Sequence, residues 1–94
     1  MASVGPLWTA HQQARWPKGI GAHEGELMTL DTVIGGCVTY YLEEQGLDEP
    51  RFAILDDCLT DLVALLPELR DEAEEYFGRL LALGRMLMAT RQEL

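Results

Sequence analysis

Between Phe52 and Leu87 apolar residues recur at alternating steps of three and four: Phe52, Leu55, Leu59, Leu62, Leu66, Leu69, Ala73, Tyr76, Leu80, Leu83 and Leu87. Steps of that size hold a single stripe on one side of an α-helix and present it to another helix. The stripe constrains architecture to helix-on-helix packing and says nothing of chemistry.

Ninety-four residues make one domain, near the lower end of what sustains its own core. A chain of this size buries about three-fifths to two-thirds of its unfolded surface, yet 48% of its residues are apolar. Part of that surface is expected to meet a partner. No apolar run nears the roughly 20 residues of a membrane span, and the first residues lack the charged and apolar regions of a secretion signal. A soluble, cytoplasmic chain with no membrane partner is the expectation. Cys37 and Cys58 fall inside apolar helical patterns and read as reduced core thiols, with no Cys-x-x-Cys spacing and no neighbouring base to activate them.

Charge is unevenly spread. The net charge is −9, but residues 1–23 hold Arg15 and Lys18 and no acid, while residues 24–94 hold all 16 acids against five arginines. Direct nucleic-acid binding needs a basic footprint that this acidic body lacks. A basic protein partner suits it better.

Residues 1–26 mix Gly5, Pro6, Pro17, Gly19, Gly21 and Gly25 with Trp8 and Trp16, a pattern for an arm with one short helix from Pro6 to Arg15. Residues 27–94 form the helical domain. A first helix is expected over about 27–45, stopped by Gly46; Gly35 and Gly36 at its middle imply either a bend or the close approach of another backbone, with close packing the favoured reading. The second, 49–65, opens at Asp48-Glu49-Pro50, where an acid caps free amides and proline fills a first-turn position. Pro67 should push Leu66 out of helical geometry; because the stripe keeps its phase across it, either a hairpin or one long kinked helix is compatible. The third helix, 71–90, begins with Asp71, Glu72, Glu74 and Glu75 and has its arginines further along, which complements the helix dipole. It carries a second apolar seam, Phe77, Leu81, Gly84 and Met88. Both seams together exceed the ~100° stripe of an ordinary surface helix, so this helix is expected to be central or to lie in a dimer interface.

The sequence has no Asn, one serine (Ser3) and one lysine (Lys18). A serine nucleophile or Schiff-base lysine would have to work from the arm, where positioning is poor. No catalytic residue is assigned. The run from Lys18 to Gly25 misses the dinucleotide-binding fingerprint, having its third glycine one place late and no strand before it. His11, His23, Glu24 and Glu26 are ligand types for zinc and related ions, although their spacing matches no established metal pattern. Asp56, Asp57 and Asp61 form an acidic surface, with Asp57 and Asp61 four apart on one face. Tyr40 lies at the edge of the first helix's apolar face, beside Tyr41.

These readings converge on an all-α protein, an antiparallel three-helix bundle with an N-terminal aromatic arm, paired with a second copy. The expected function is a small, non-enzymatic interaction or regulatory module without cofactor. Trp8, Trp16, Tyr40, Phe77, Leu81 and Met88 are its candidate partner-binding residues. One alternative is a small-ligand or metal-binding protein, or an enzyme, with a pocket between arm and bundle built from His11, His23, Tyr40 and Tyr41. Another is an acidic inhibitor that imitates nucleic acid at a basic site.

Overall fold

The computed structural model describes residues 3–91. Its elements are α1 (Val4–Gln13), α2 (Glu24–Glu44), α3 (Glu49–Leu65) with a 3-10 turn at Leu66–Glu68, and α4 (Asp71–Thr90), with no strand among the described residues. The expected three helices become four. The short helix of the arm is α1, and it packs against α4 and α2 as part of the bundle.

Helices α2, α3 and α4 touch in all three pairs, and α1 lies along the seam between α2 and α4. Contacts near the helix ends set the directions. Arg91, just past α4, donates to Glu49 at the start of α3 (Nη2 to Oε2, 2.7 Å), and the Arg51 guanidinium sits 3.7 Å over the Tyr40 ring near the end of α2. Helix α3 is therefore antiparallel to both neighbours. Trp8 meets Gly35 and His11 meets Asp31, so α1 runs antiparallel to α2.

Local chemistry accounts for most helix ends. Helix α1 stops at Ala14, which is extended (ψ 143°), shortly before Pro17 forbids any continuation. At the start of α3, Asp48 Oδ1 accepts the Arg51 backbone N–H at 3.0 Å, with Pro50 in the first turn as expected. The end of α2 differs from expectation: Gln45, and not Gly46, takes the left-handed conformation (φ 61°, ψ 32°), at a cost of roughly 1 kcal/mol for a residue with a β-carbon. Pro67 resolves into a hairpin. Leu66 stays right-handed helical (φ −53°, ψ −40°) despite the crowding from the ring that follows it, and Pro67 itself enters the first turn of a 3-10 segment, where its missing N–H is not called on. The chain leaves right-handed helical geometry at Leu69 and Arg70, both extended, and at Asp71, whose φ is 54°.

The stripe from Phe52 to Leu87 is the core. Each of its residues is buried except Leu66, which is half-buried. The second seam of α4 also turns inward: Phe77 and Leu81 are buried, and Gly84 receives Leu59 of α3 so closely that a β-carbon there would collide with the leucine δ-methyls. Phe77 and Leu81, expected to bind a partner, are thus core residues. The wide apolar surface of α4, which suggested a dimer, is covered by three helices of its own chain. Among the described residues no helix is long and apolar enough to cross a membrane.

Candidate functional site

Two arrangements have the make-up of a site, one buried under α1 and one on the surface around α3. The buried one is a four-residue polar cluster. Helix α1 brings His11 (3% exposed), α2 brings Asp31, and α4 brings Tyr76 and Arg79 on successive turns of one face. The Arg79 Nε–H donates to His11 Nδ1 at 3.2 Å, so that nitrogen is the acceptor and the ring proton sits on Nε2. That Nε2–H donates to Asp31 Oδ1 at 2.9 Å, and the Tyr76 hydroxyl donates to Asp31 Oδ2 at 3.0 Å. The imidazole lies 4.3 Å from the Tyr76 ring centroid and 5.8 Å from that of Trp8.

A histidine beside a carboxylate is the raw material of general-base catalysis, but a base needs a free nitrogen aimed at a substrate. Here both ring nitrogens are occupied and both faces are covered. Burial, followed by the adjacent Asp31 charge and its hydrogen bond, pushes the Tyr76 phenol far above the usual tyrosine range, so it stays a neutral donor. The cluster satisfies itself, and among the described residues no buried side-chain polar atom lacks a partner. Its effect is to dock α1 in one register: an alternative register would strand a buried charge or donor, which costs more than the pairing gains.

The expected site residues are scattered. Of the four candidate metal ligands, His11 is committed to Asp31, Glu24 Oε2 accepts the Trp16 indole N–H at 2.8 Å, and His23 faces Glu26 at 3.3 Å and Glu68 at 3.5 Å. Among the described residues no three His, Cys, Asp or Glu side chains converge as a metal site would require. Tyr40 lies under Arg51, remote from His11, so the pocket expected from His11, His23, Tyr40 and Tyr41 does not form. A crevice of about 240 Å³ does lie between the end of α1 and α4, but Ala14, Arg15, Glu72, Glu75, Tyr76 and Arg79 line it.

Both tryptophans are docked on their own chain. Trp8 fits against Gly35, where a β-carbon would lie 3.1 Å from the indole, so the glycine serves close packing as expected, though a side chain and not a backbone makes the approach. Trp16 stands edge-on to Tyr76 and Phe77 at 5.5 and 5.7 Å. Cys37 is buried and Cys58 half-buried, both free; desolvation raises both thiols above their ordinary values, which disfavours the reactive thiolate.

The surface arrangement surrounds α3. Asp56, Asp57 and Asp61 are exposed on its outer side, together with Ile54 (49%) and Val63 (45%). No basic residue occurs from Phe52 to Leu69. Two open grooves flank the helix. One, about 430 Å³, lies against α2 and is lined by Glu26, Thr29, Leu30, Asp61, Ala64 and Leu65. The other, about 390 Å³, lies against α4, with Leu59, Val63, Leu81 and Met88 among its lining, bordered by Asp56 and Arg85. Met88, expected to bind a partner, is half-buried in this second groove.

The cluster went unread in the sequence, although two signals pointed to it. Asp31 is the lone charge between Glu26 and Glu43, and Tyr76 is the lone stripe residue with a polar tip. Compared with protein-family models, with curated proteins and with solved structures, the chain matches none.

Proposed function

We propose that the protein is a non-enzymatic interaction module that holds a basic protein partner along the outer side of α3. The observation that carries this reading is the make-up of that side: three aspartates and two half-exposed aliphatic side chains, no base on the helix from Phe52 onward, and a groove on each flank, with Arg85 of α4 the one base at their edges. Exposed apolar groups rimmed by charge of one sign are the usual make-up of a docking face. Helix α1 supplies the internal precedent, since it already occupies the α2–α4 seam of the bundle as a bound helix would. The aromatic arm drops out of the binding surface, because its indoles are engaged on α2 and α4. A second copy is a poor occupant, since pairing two α3 faces would set Asp56, Asp57 and Asp61 against their own counterparts.

Titration calorimetry with a lysine- and arginine-rich amphipathic helical peptide tests the reading. Binding should weaken with added salt and fall at least about tenfold when Asp56, Asp57 and Asp61 are all replaced by Asn, since a tenfold loss is only about 1.4 kcal/mol spread over three charges. Affinity indifferent to that triple replacement, or no affinity for basic helical peptides, would overturn it.

A further inference from the structure

We infer that the groove between α2 and α3 is the seat of an arginine side chain, presented by the basic partner proposed above. The inference rests on that reading of α3 and adds the seat and the residue type.

Three open crevices among the described residues differ in one respect. The crevice beside α1 sets Arg15 and Arg79 against Glu72 and Glu75, and the α3–α4 groove sets Arg85 against Asp56. Each supplies its own cations. The α2–α3 groove has an acid on either wall, Glu26 from α2 and Asp61 from α3, an apolar floor of Leu30, Ala64 and Leu65, and no base in its lining. The neighbouring His23 reaches Glu26 Oε1 through Nδ1 at 3.3 Å but contributes nothing to Asp61.

An apolar floor between two carboxylates matches one side chain closely. Arginine lays a three-carbon stem on apolar surface and carries a planar, five-donor head that can address two carboxylates from different directions. A purely aliphatic side chain would fill the floor while drying two carboxylates, which is costly. Lysine offers the charge but a single compact head, and an anion is repelled from both walls. Seating an arginine here would also cross-link α2 to α3 at the end of the bundle where the only link among the described polar contacts is His23 to Glu68 of the 3-10 turn.

The test uses the intact protein and a probe small enough to report on the groove alone. N-acetyl-arginine amide is titrated into isotopically labelled protein, with the citrulline and lysine analogues as comparisons. Saturable chemical-shift changes are expected at Leu30, Ala64 and Leu65 with the arginine probe, weaker ones with lysine, and none with citrulline, which keeps the shape and removes the charge. Asp61→Asn and Glu26→Gln should each weaken the response several-fold, Ala64→Trp should abolish it by filling the groove, and Glu72→Gln, beside α1, should leave it unchanged. All four positions are exposed, and circular dichroism checks the fold of each variant. Equal responses to arginine and citrulline, no saturable response, or shifts confined to the α3–α4 groove would overturn the inference. If the basic helical peptide still bound through Asp56, Asp57 and Asp61 in those cases, the reading of α3 would stand without this seat. Loss of peptide binding as well would remove both.

Discussion

Helix α1 and helix α3 lie against the same α2–α4 pair, yet their surroundings are built differently. Around α1 the polar groups face inward: His11, Asp31, Tyr76 and Arg79 pair among themselves, and two indoles close over them. Around α3, past the polar contacts of Glu49 and Arg51 in its first turn, the contact with the bundle is apolar and the polar groups face out, leaving Asp56, Asp57 and Asp61 without a base on that helix from Phe52 onward. Buried polar pairing specifies one position and tolerates no substitute, whereas exposed charge of one sign is an unsatisfied surface that a partner can complete. The α1 side is accordingly read as scaffold and the α3 side as interface.

The largest effect that could break this contrast comes from removing α1. Deleting residues 1–23 takes away both indoles and His11 and uncovers Asp31 and Tyr76. Burial of large side chains is worth about 1.5–3 kcal/mol each when complete, so a loss on the order of 5 kcal/mol is expected, comparable with the whole stability of a small domain. Chemical denaturation followed by circular dichroism reads this directly. A truncated protein that unfolds cooperatively at the original midpoint would show that α1 is an appendage and not scaffold.

A smaller change, Tyr76→Phe, removes one donor from Asp31 and leaves a largely buried carboxylate oxygen unpaired, at about 1–3 kcal/mol, or several degrees in melting temperature for a domain of this size. It carries a pH signature. The Tyr76 phenol is raised in the folded protein, so its contribution to stability is complete below the unfolded tyrosine value of about 10 and is lost as pH climbs through the higher folded value. Melting temperatures taken between pH 8 and 11 should therefore fall more steeply above pH 10 for the wild type than for Tyr76→Phe. Parallel curves would mean that the hydroxyl is not held by Asp31.

On the α3 side the expected stability effect is the smallest. Replacing Asp56, Asp57 and Asp61 by Asn should shift stability by no more than about 0.5 kcal/mol, and upward if anything, since it relieves like-charge repulsion on an exposed face. The same variant is the one expected to lose the basic peptide. A large destabilisation would make those aspartates structural and erase the contrast between the two sides.

Local pattern was enough for the helical class, the buried stripe, the start of α3 at Asp48 and the docking of something at Gly35, because each depends on residues within a turn or two of one another. The number of helices, the inward turn of Phe77 and Leu81 and the polar cluster were settled by tertiary packing. His11 and Asp31 are 20 positions apart and His11 and Arg79 are 68 apart, and no periodicity within a helix records which residue on another helix will answer it. The surplus apolar width of α4 was visible in the sequence, but its cover was not: an arm punctuated by glycine and proline can lie along a seam once two indoles and a histidine find their places there. Residue type and spacing thus determined which faces had to be buried, while the identity of the covering helix followed from the one arrangement in which His11, Asp31, Tyr76 and Arg79 satisfy each other's hydrogen bonds away from water.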